Sequence, residues 1–164
     1  MALWRSWSKM TSSPDKKELG LDALVPLFRQ RFAEGGRVRF GPKGVSMLPM
    51  IRQGIDTVEL GPLPEKLRKF DLPLYQRRDG HYVLHRIVRV ADTYTCIGDN
   101  QFQPEKGLTH DQMIGVVTAF YRGEKRWEAD HWGYKLYCRV WHYTRFPRKC
   151  WRGLRARVLR LFGK

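Results

Sequence analysis

Closely spaced strand patterns occupy the middle of this 164-residue sequence, from Arg37 to Glu128, and no helical pattern interrupts them. Apolar and charged residues alternate at Arg37–Phe40, and a longer candidate strand at Tyr82–Val90 is rich in β-branched residues. Turn sequences at Asp79-Gly80 and Gly123-Glu124 separate neighbouring candidates. The remaining candidates are Thr57–Leu60, Leu72–Gln76, Thr93–Ile97, Met113–Arg122 and Lys125–Glu128. Strands this close in sequence pair antiparallel, so we predict a mainly β domain of six or seven strands.

A helical pattern precedes the strands. Apolar residues recur at intervals of three or four residues within Lys17–Glu34, and Gly35-Gly36 follows as a helix end. Pro26 lies inside this stretch and either kinks the helix or belongs to its first turn. The predicted divisions of the chain are an N-terminal arm and helix (1–36), a β domain (37–129) and a basic, aromatic, amphipathic C-terminal tail (130–164).

The tail differs from the rest of the chain in charge. The whole chain has 31 Lys and Arg against 16 Asp and Glu, and ten of the basic residues lie between Lys135 and Lys164, where there is no acidic residue. Such an excess favours an anionic partner, either nucleic acid or a lipid surface, and excludes an acidic solvating protein.

The end of the tail combines this charge with helical spacing. Its apolar residues are Trp151, Leu154, Val158, Leu161 and Phe162, and the arginines between them are Arg152, Arg155, Arg157 and Arg160. We predict a basic amphipathic C-terminal helix over about 148–162, roughly 20 Å long and so too short to span a bilayer. Three roles stay open for it: contact with an anionic membrane surface, docking on its own domain, and, less favoured, nucleic-acid binding. Tyr137, Trp141 and Tyr143 just before it suit a membrane interface.

Composition excludes several other classes. No run of 18 apolar residues exists, which argues against a transmembrane helix, and residues 1–13 lack the apolar core of a signal peptide. Cys96, Cys138 and Cys150 form no CxxC pair, and the five histidines are scattered. We therefore expect reduced thiols, no metal, no cofactor and a cytoplasmic location, with peripheral contact to the inner face of the membrane as one option.

Three residues suggest nucleophilic catalysis. Ser46 lies in a loop between two predicted strands, His85 in a predicted strand, and Asp99 in a Gly-Asp-Asn turn. A serine hydroxyl needs a neighbouring base near neutral pH, and an imidazole can accept its proton. A carboxylate such as Asp99 can orient the imidazole, and backbone N–H groups near Ser46 can bind an oxyanion.

The same blocks resemble a known superfamily, the serine peptidases that include type I signal peptidases and LexA-type self-cleaving repressors. The resemblance covers about 37–122 and keeps the family order of motifs. The matching blocks are Ser46–Pro49 (Ser-Met-Leu-Pro), Phe70–Tyr75, Val83–Val90, Gly98–Asn100 and Ile114–Val117. It implies a signal-peptidase-like antiparallel β fold in which Ser46 is the nucleophile.

The residue pair His85-Arg86 is similar to the base position of the endoplasmic-reticulum and archaeal signal peptidases, whereas bacterial members use Lys. The resemblance implies His85 as general base, supported by Asp99 or by Glu105, which stands where the family usually has Asp. It also implies that Gly44 leaves only backbone donors for the oxyanion and that Met47 borders the substrate groove.

We therefore predict a serine endopeptidase that acts on a peptide or protein, such as a leader or membrane-proximal peptide. Two other functions stay open. One is a LexA-like self-cleaving regulator or nucleic-acid-binding protein, although only about 36 residues precede the first strand, too few for a helix-turn-helix domain and a linker. The other is a catalytically silent membrane-surface adaptor.

Overall fold

The computed structural model describes residues 20–162. Three helices surround the strands: α1 (Leu21–Ala33), α2 (Trp132–Tyr143) and α3 (Arg145–Phe162). The strands are β1 (Val38–Phe40), β2 (Asp56–Gly61), β3 (Pro73–Gln76), β4 (Tyr82–Leu84), β5 (Arg86–Val90), β6 (Tyr94–Ile97), β7 (Glu105–Leu108), β8 (Met113–Arg122) and β9 (Lys125–Glu128).

The strands form two antiparallel sheets. The larger sheet has the order β1-β2-β8-β3-β4, with β9 paired to β8, and the smaller has the order β5-β6-β7. Every described pair is antiparallel. The prediction of a mainly β domain with antiparallel strands is confirmed, and helices stand at both ends of the described chain.

The prediction of one long strand at Tyr82–Val90 is wrong, because the chain changes sheets in its middle. Leu84 at the end of β4 pairs with Leu74 in the larger sheet, while Arg86 at the start of β5 pairs with Ile97 in the smaller. His85 is the residue between the two strands. The run of β-branched residues continues across the change, so composition alone does not reveal it.

Helix α1 covers one face of the larger sheet. Val25 and Phe28 are buried there, and Pro26 lies within the helix. Gly115 in β8 permits the close contact, since a Cβ at that position would lie 2.8 Å from the ring of Phe32 and 2.9 Å from the carbonyl oxygen of Gly61. The predicted N-terminal helix thus forms at Leu21–Ala33, within the predicted stretch.

Two hydrophobic clusters form the core, and His85 lies where they meet. Leu84 belongs to the cluster under the larger sheet, which also contains Met47. Ile87 belongs to the second cluster, around the smaller sheet, together with Tyr75. A polar side chain at this junction is buried by both sheets, which sets its electrostatic environment.

The tail is helical over more of its length than predicted. Helix α3 begins at Arg145, three residues before the predicted start, and α2 precedes it across Thr144 alone. Within residues 20–162, none of the helices has the length and apolarity needed to cross a bilayer.

Candidate active site

Ser46 lies in the loop that joins β1 to β2, with its side chain half-buried. Asn100, in the turn after β6, holds this loop: its N–H donates to the carbonyl oxygen of Ser46 (2.8 Å), and its Nδ2 donates to that of Val45 (3.1 Å). Gly98 permits the approach, because a Cβ there would lie 2.6 Å from the Ser46 carbonyl oxygen. The turn at Gly98–Asn100 therefore sets the position of Ser46.

His85 has an almost fully buried side chain, only 2% exposed. Its Nδ1 lies 3.2 Å from Oε1 of Glu105 in β7 and 3.3 Å from the hydroxyl of Tyr75 in β3. Glu105 is itself held by Arg77, whose Nε donates to Oε2 at 2.8 Å and whose second donor contacts Oε1. One side of the imidazole is therefore occupied by a fixed carboxylate.

The other ring nitrogen of His85 faces the Ser46 loop. A Cβ at Gly98 would lie 3.1 Å from Nε2 of His85. Ser46 and His85 line the same pocket of about 220 Å³, together with Gln101. Within residues 20–162, no hydrogen bond joins the Ser46 hydroxyl to the His85 ring. In enzymes without substrate, such a catalytic hydrogen bond is commonly long and tightens when substrate binds.

The protonation state of this group follows from burial. Burial lowers the pKa of His85 from 6.5 to about 4, against an opposing effect of Glu105. Burial acts to raise the pKa of Glu105, but hydrogen bonds from Arg77 and Tyr75 outweigh it and leave that pKa below its ordinary value. At neutral pH the pair is a neutral imidazole beside a carboxylate, and since a carboxylate only accepts hydrogen bonds, the ring proton belongs on Nδ1. Nε2 is then free to accept a proton.

Asp99 lies against Arg86 rather than against the His85 ring. Its two oxygens accept from Nε and Nη2 of Arg86 at 2.9 and 2.8 Å, and both side chains are fully buried. Tyr137 of α2 donates to the same carboxylate (3.1 Å), and Trp141 donates from Nε1 to the Asp99 carbonyl oxygen (2.8 Å). Of the two carboxylates left open by sequence, the structure therefore brings Glu105 to His85 and ties Asp99 to α2.

The two groove residues differ in exposure. Met47 is buried in the first hydrophobic cluster and also lines the site pocket. Gly44 is exposed, has φ +97°, and donates its N–H to Oε1 of Gln53 at 2.6 Å. The N–H groups of Ser46 and Met47, by contrast, donate to no described residue, so neither is committed to another acceptor.

The four arginines predicted to contact a membrane or another anion all belong to α3. Arg155 and Arg157 are exposed on this helix. Arg152 and Arg160 belong to the same helix, but their side chains fall outside the described part of the chain.

Sequence reasoning missed the residues that support the site. Tyr75 and Arg77 hold the His85–Glu105 pair, and nothing in their spacing marks them for that role. Tyr137 and Trp141, which the sequence suggested for a membrane interface, are half-buried and donate hydrogen bonds to Asp99, whereas Tyr143 is exposed. Tyr134, Tyr137 and Trp141 recur at helical spacing, which is a pattern that predicts one buried helix face.

Comparison with known proteins adds no relative: no family model and no curated protein matches the chain.

Proposed function

We propose that this protein is a serine endopeptidase of the signal-peptidase-like type, with the fold of that superfamily. The observation that carries the proposal is the placement of His85, with Nδ1 on Glu105 and Nε2 on the pocket shared with Ser46. A nucleophile, a base and a group that orients the base are the minimum set for acyl transfer. The motif resemblance supplies independent support, because it selected Ser46 and His85 without reference to their positions in space.

In the proposed reaction, Oγ of Ser46 attacks the carbonyl carbon of the scissile bond while Nε2 of His85 accepts the hydroxyl proton. The backbone N–H groups of Ser46 and Met47 bind the oxyanion. Collapse breaks the C–N bond as His85 returns the proton to the leaving amine, which leaves an ester on Ser46. Water then attacks that ester through the same base, releasing the new carboxylate and restoring the hydroxyl. Glu105 stabilises the imidazolium in both steps.

Substrate binding as an extended strand fits the sheet edges. β1 and β4 are the two ends of the larger sheet's strand order, and they lead directly to the Ser46 loop and to His85. A second, larger pocket of about 770 Å³ lies between them and shares Pro42, Lys43 and Tyr82 with the site pocket. Extended peptides commonly add to an exposed strand edge and place alternate side chains in such pockets.

The test is covalent labelling with a fluorophosphonate probe near neutral pH, followed by peptide mass spectrometry. Ser46 is the only serine after residue 13, so an adduct on it is unambiguous. We expect an adduct on Ser46 in the wild type, none in Ser46→Ala and a large loss in His85→Ala. Thr93→Ala, which removes an exposed hydroxyl from the turn after β5, should label like the wild type. An unlabelled Ser46 in the folded protein, or equal labelling of the wild type and Ser46→Ala, contradicts the proposal.

A further inference from the structure

Helices α2 and α3 expose large apolar side chains that globular proteins ordinarily bury. The exposed fraction ranges from 44% at Val158 to 75% at Phe146. On α2 the exposed apolar residues are Trp132, Leu136, Val140 and Tyr143, and on α3 they include Trp151, Leu154 and Val158. Each set recurs at intervals of three or four residues, so each helix has one apolar stripe. Contiguous exposure of this kind marks an interaction surface.

The opposite face of α2 is already used by the domain. Cys138 is buried there, and Tyr134, Tyr137 and Trp141 hydrogen-bond to Arg86 or Asp99. The exposed stripe of α2 is therefore not the side of the helix that packs on the domain core, since a different side of α2 does so. The stripes need an occupant from outside the domain.

The positive charge around the stripes indicates an anionic occupant. Residues 135–164 contain ten Lys and Arg and no Asp or Glu. Lys135, Arg139, Lys149, Arg155 and Arg157 are exposed, and none of them pairs with a carboxylate among residues 20–162. A surface with this much unneutralised positive charge fits an anionic partner.

Two anionic partners bind such charge, and the apolar stripes distinguish them. Phosphates of a nucleic acid engage guanidinium groups, but they offer nothing that removes Leu136, Val140 or Leu154 from water. An anionic bilayer does both, because acyl chains accept the apolar stripe while headgroup phosphates meet the arginines above it. We infer that α2 and α3 form a binding surface for anionic phospholipid bilayers and hold the Ser46–His85 site beside the bilayer.

The second half of this inference rests on the proposed function and on how α2 is attached. Trp141 and Tyr137 bind Asp99, and the next residue, Asn100, holds the carbonyl groups of Val45 and Ser46. Only this turn separates the membrane-binding helix from the nucleophile's loop. A bilayer that holds α2 therefore also holds the candidate active site near the headgroups, where a membrane-proximal peptide is the accessible substrate.

The first experiment is vesicle co-sedimentation of the full chain, with phosphatidylcholine vesicles with and without phosphatidylglycerol. We expect binding to the anionic vesicles that weakens with salt, and little binding to the neutral ones. Leu154→Glu should weaken binding by about tenfold or more, since it removes an exposed leucine that the bilayer would bury and adds a charge that the anionic lipids repel. Leu27→Glu is the matched control, because Leu27 on α1 is exposed to the same 56% as Leu154, and it should bind like the wild type.

Three results would overturn the membrane inference. One is equal binding of neutral and anionic vesicles, and another is a Leu154→Glu variant that is still helical by circular dichroism and binds like the wild type. The third is a salt-dependent mobility shift of duplex DNA that exceeds vesicle binding and is unaffected by Leu154→Glu, which would assign the surface to nucleic acid. Ser46→Ala should bind vesicles normally, so failure of the peptidase proposal and failure of this inference give different results.

The second experiment tests the position of the site. A fluorophosphonate attached to a lipid anchor and a water-soluble one are reacted with the protein in the presence of anionic vesicles. We expect the anchored probe to react faster with the wild type and to lose that advantage with Leu154→Glu. Equal rates of the two probes with the wild type would show that the bound protein holds Ser46 away from the bilayer.

Discussion

At the scale of single residues, the proposed proton transfer depends on His85 and Glu105. An imidazole this buried is a weak base, with a pKa of about 4, and Glu105 keeps the pKa from falling further. Burial thus keeps the imidazole unprotonated across the physiological range, while the carboxylate at 3.2 Å favours its protonated form, as the proposed proton transfer from Ser46 requires. In the proposed mechanism the two effects act on different steps, since burial sets the neutral resting state of His85 and Glu105 stabilises the imidazolium that would form.

This division predicts the pH dependence of acylation. The rate of Ser46 labelling should stay flat from neutral pH down to about pH 5 and fall only as pH approaches the His85 pKa. Glu105→Gln removes the nearby charge that raises that pKa, so the acid limb should move to lower pH and the plateau rate should drop roughly a hundredfold. The measurement is the labelling rate against pH, within the range where circular dichroism shows a folded protein.

Glu124→Gln is the control, because Glu124 is an exposed carboxylate in the turn between β8 and β9. It should leave both the limb and the plateau unchanged. An acid limb near pH 6.5, the ordinary value for histidine, would contradict the buried, neutral base. An unchanged profile in Glu105→Gln would remove Glu105 from the proposed mechanism.

The sequence predicts Ser46 and His85 because each stands in a short motif whose order along the chain is informative. It does not decide between Asp99 and Glu105, because that choice depends on strand pairing. Asp99 is nearer to His85 in sequence, but Arg86 pairs with Ile97 in the smaller sheet, and Asp99 just beyond turns to the Arg86 guanidinium. The pairing of Cys96 with Glu105 brings β7 alongside and delivers the other carboxylate.

The turn at Gly98 is the element that positions the Ser46 loop next to the His85 ring. A Cβ at Gly98 would lie 2.6 Å from a backbone oxygen and 3.1 Å from the imidazole, and a backbone atom cannot move aside as a flexible side-chain end can. Gly98→Ala should therefore displace the Ser46 loop from His85 and reduce the labelling rate at least about tenfold. The protein should stay folded, because the strand pairing of the two sheets does not run through this loop.

Gly153→Ala is the matched control for this variant. Nothing lies within 4 Å of a Cβ at Gly153, and its position inside α3 makes alanine compatible with the backbone. It should label like the wild type. Wild-type labelling by Gly98→Ala would mean that the contact between the loops is not needed for the chemistry.

The Arg86–Asp99 pair connects three elements: β5, the turn after β6, and α2. Asp99→Asn would leave a fully buried guanidinium without its counter-charge, which typically costs about 3–5 kcal/mol. We expect a large loss of stability in urea denaturation. At temperatures where the variant is folded, the acid limb of labelling should move to lower pH by less than in Glu105→Gln, because Asp99 raises the pKa of His85 less than Glu105 does. Asp92→Asn, an exposed Asp in the turn after β5, should change neither quantity.

A shifted acid limb in Asp99→Asn, matching that of Glu105→Gln, would instead make Asp99 the group that acts on His85.

Helix α2 shows why sequence alone does not predict the contact between this helix and Asp99. Aromatic residues suit both a membrane interface and a buried helix face, so Tyr137 and Trp141 fit two roles equally until the hydrogen bonds to Asp99 are known. The exposed stripe that we propose for the membrane lies on a different face of the same helix.

At the scale of the whole molecule, two sheets meeting around a histidine make folding sensitive to mild acid. The unfolded chain protonates its histidines below about pH 6.5, whereas the folded protein leaves His85 neutral down to about pH 4. Between these values the unfolded state binds more protons, so the free energy of unfolding falls as pH falls. Shifts of this size correspond to about 3 kcal/mol near pH 4. The carboxylate of Asp56, with its pKa lowered to about 2 by Arg52, adds a further loss only below about pH 4.

Urea denaturation of the full chain at several pH values distinguishes the effect of His85 on stability from that of Asp56. The wild type should lose stability between about pH 6.5 and pH 4. His85→Gln should show a clearly shallower dependence there, with a remainder from His142, whose pKa is also lowered by burial. His81→Gln is the control, because His81 is exposed in the turn before β4 and should leave the wild-type slope intact. A wild-type slope in His85→Gln would mean that another group carries the acid sensitivity. Because the same buried imidazole is the proposed base, the pH at which this slope ends should coincide with the acid limb of Ser46 labelling.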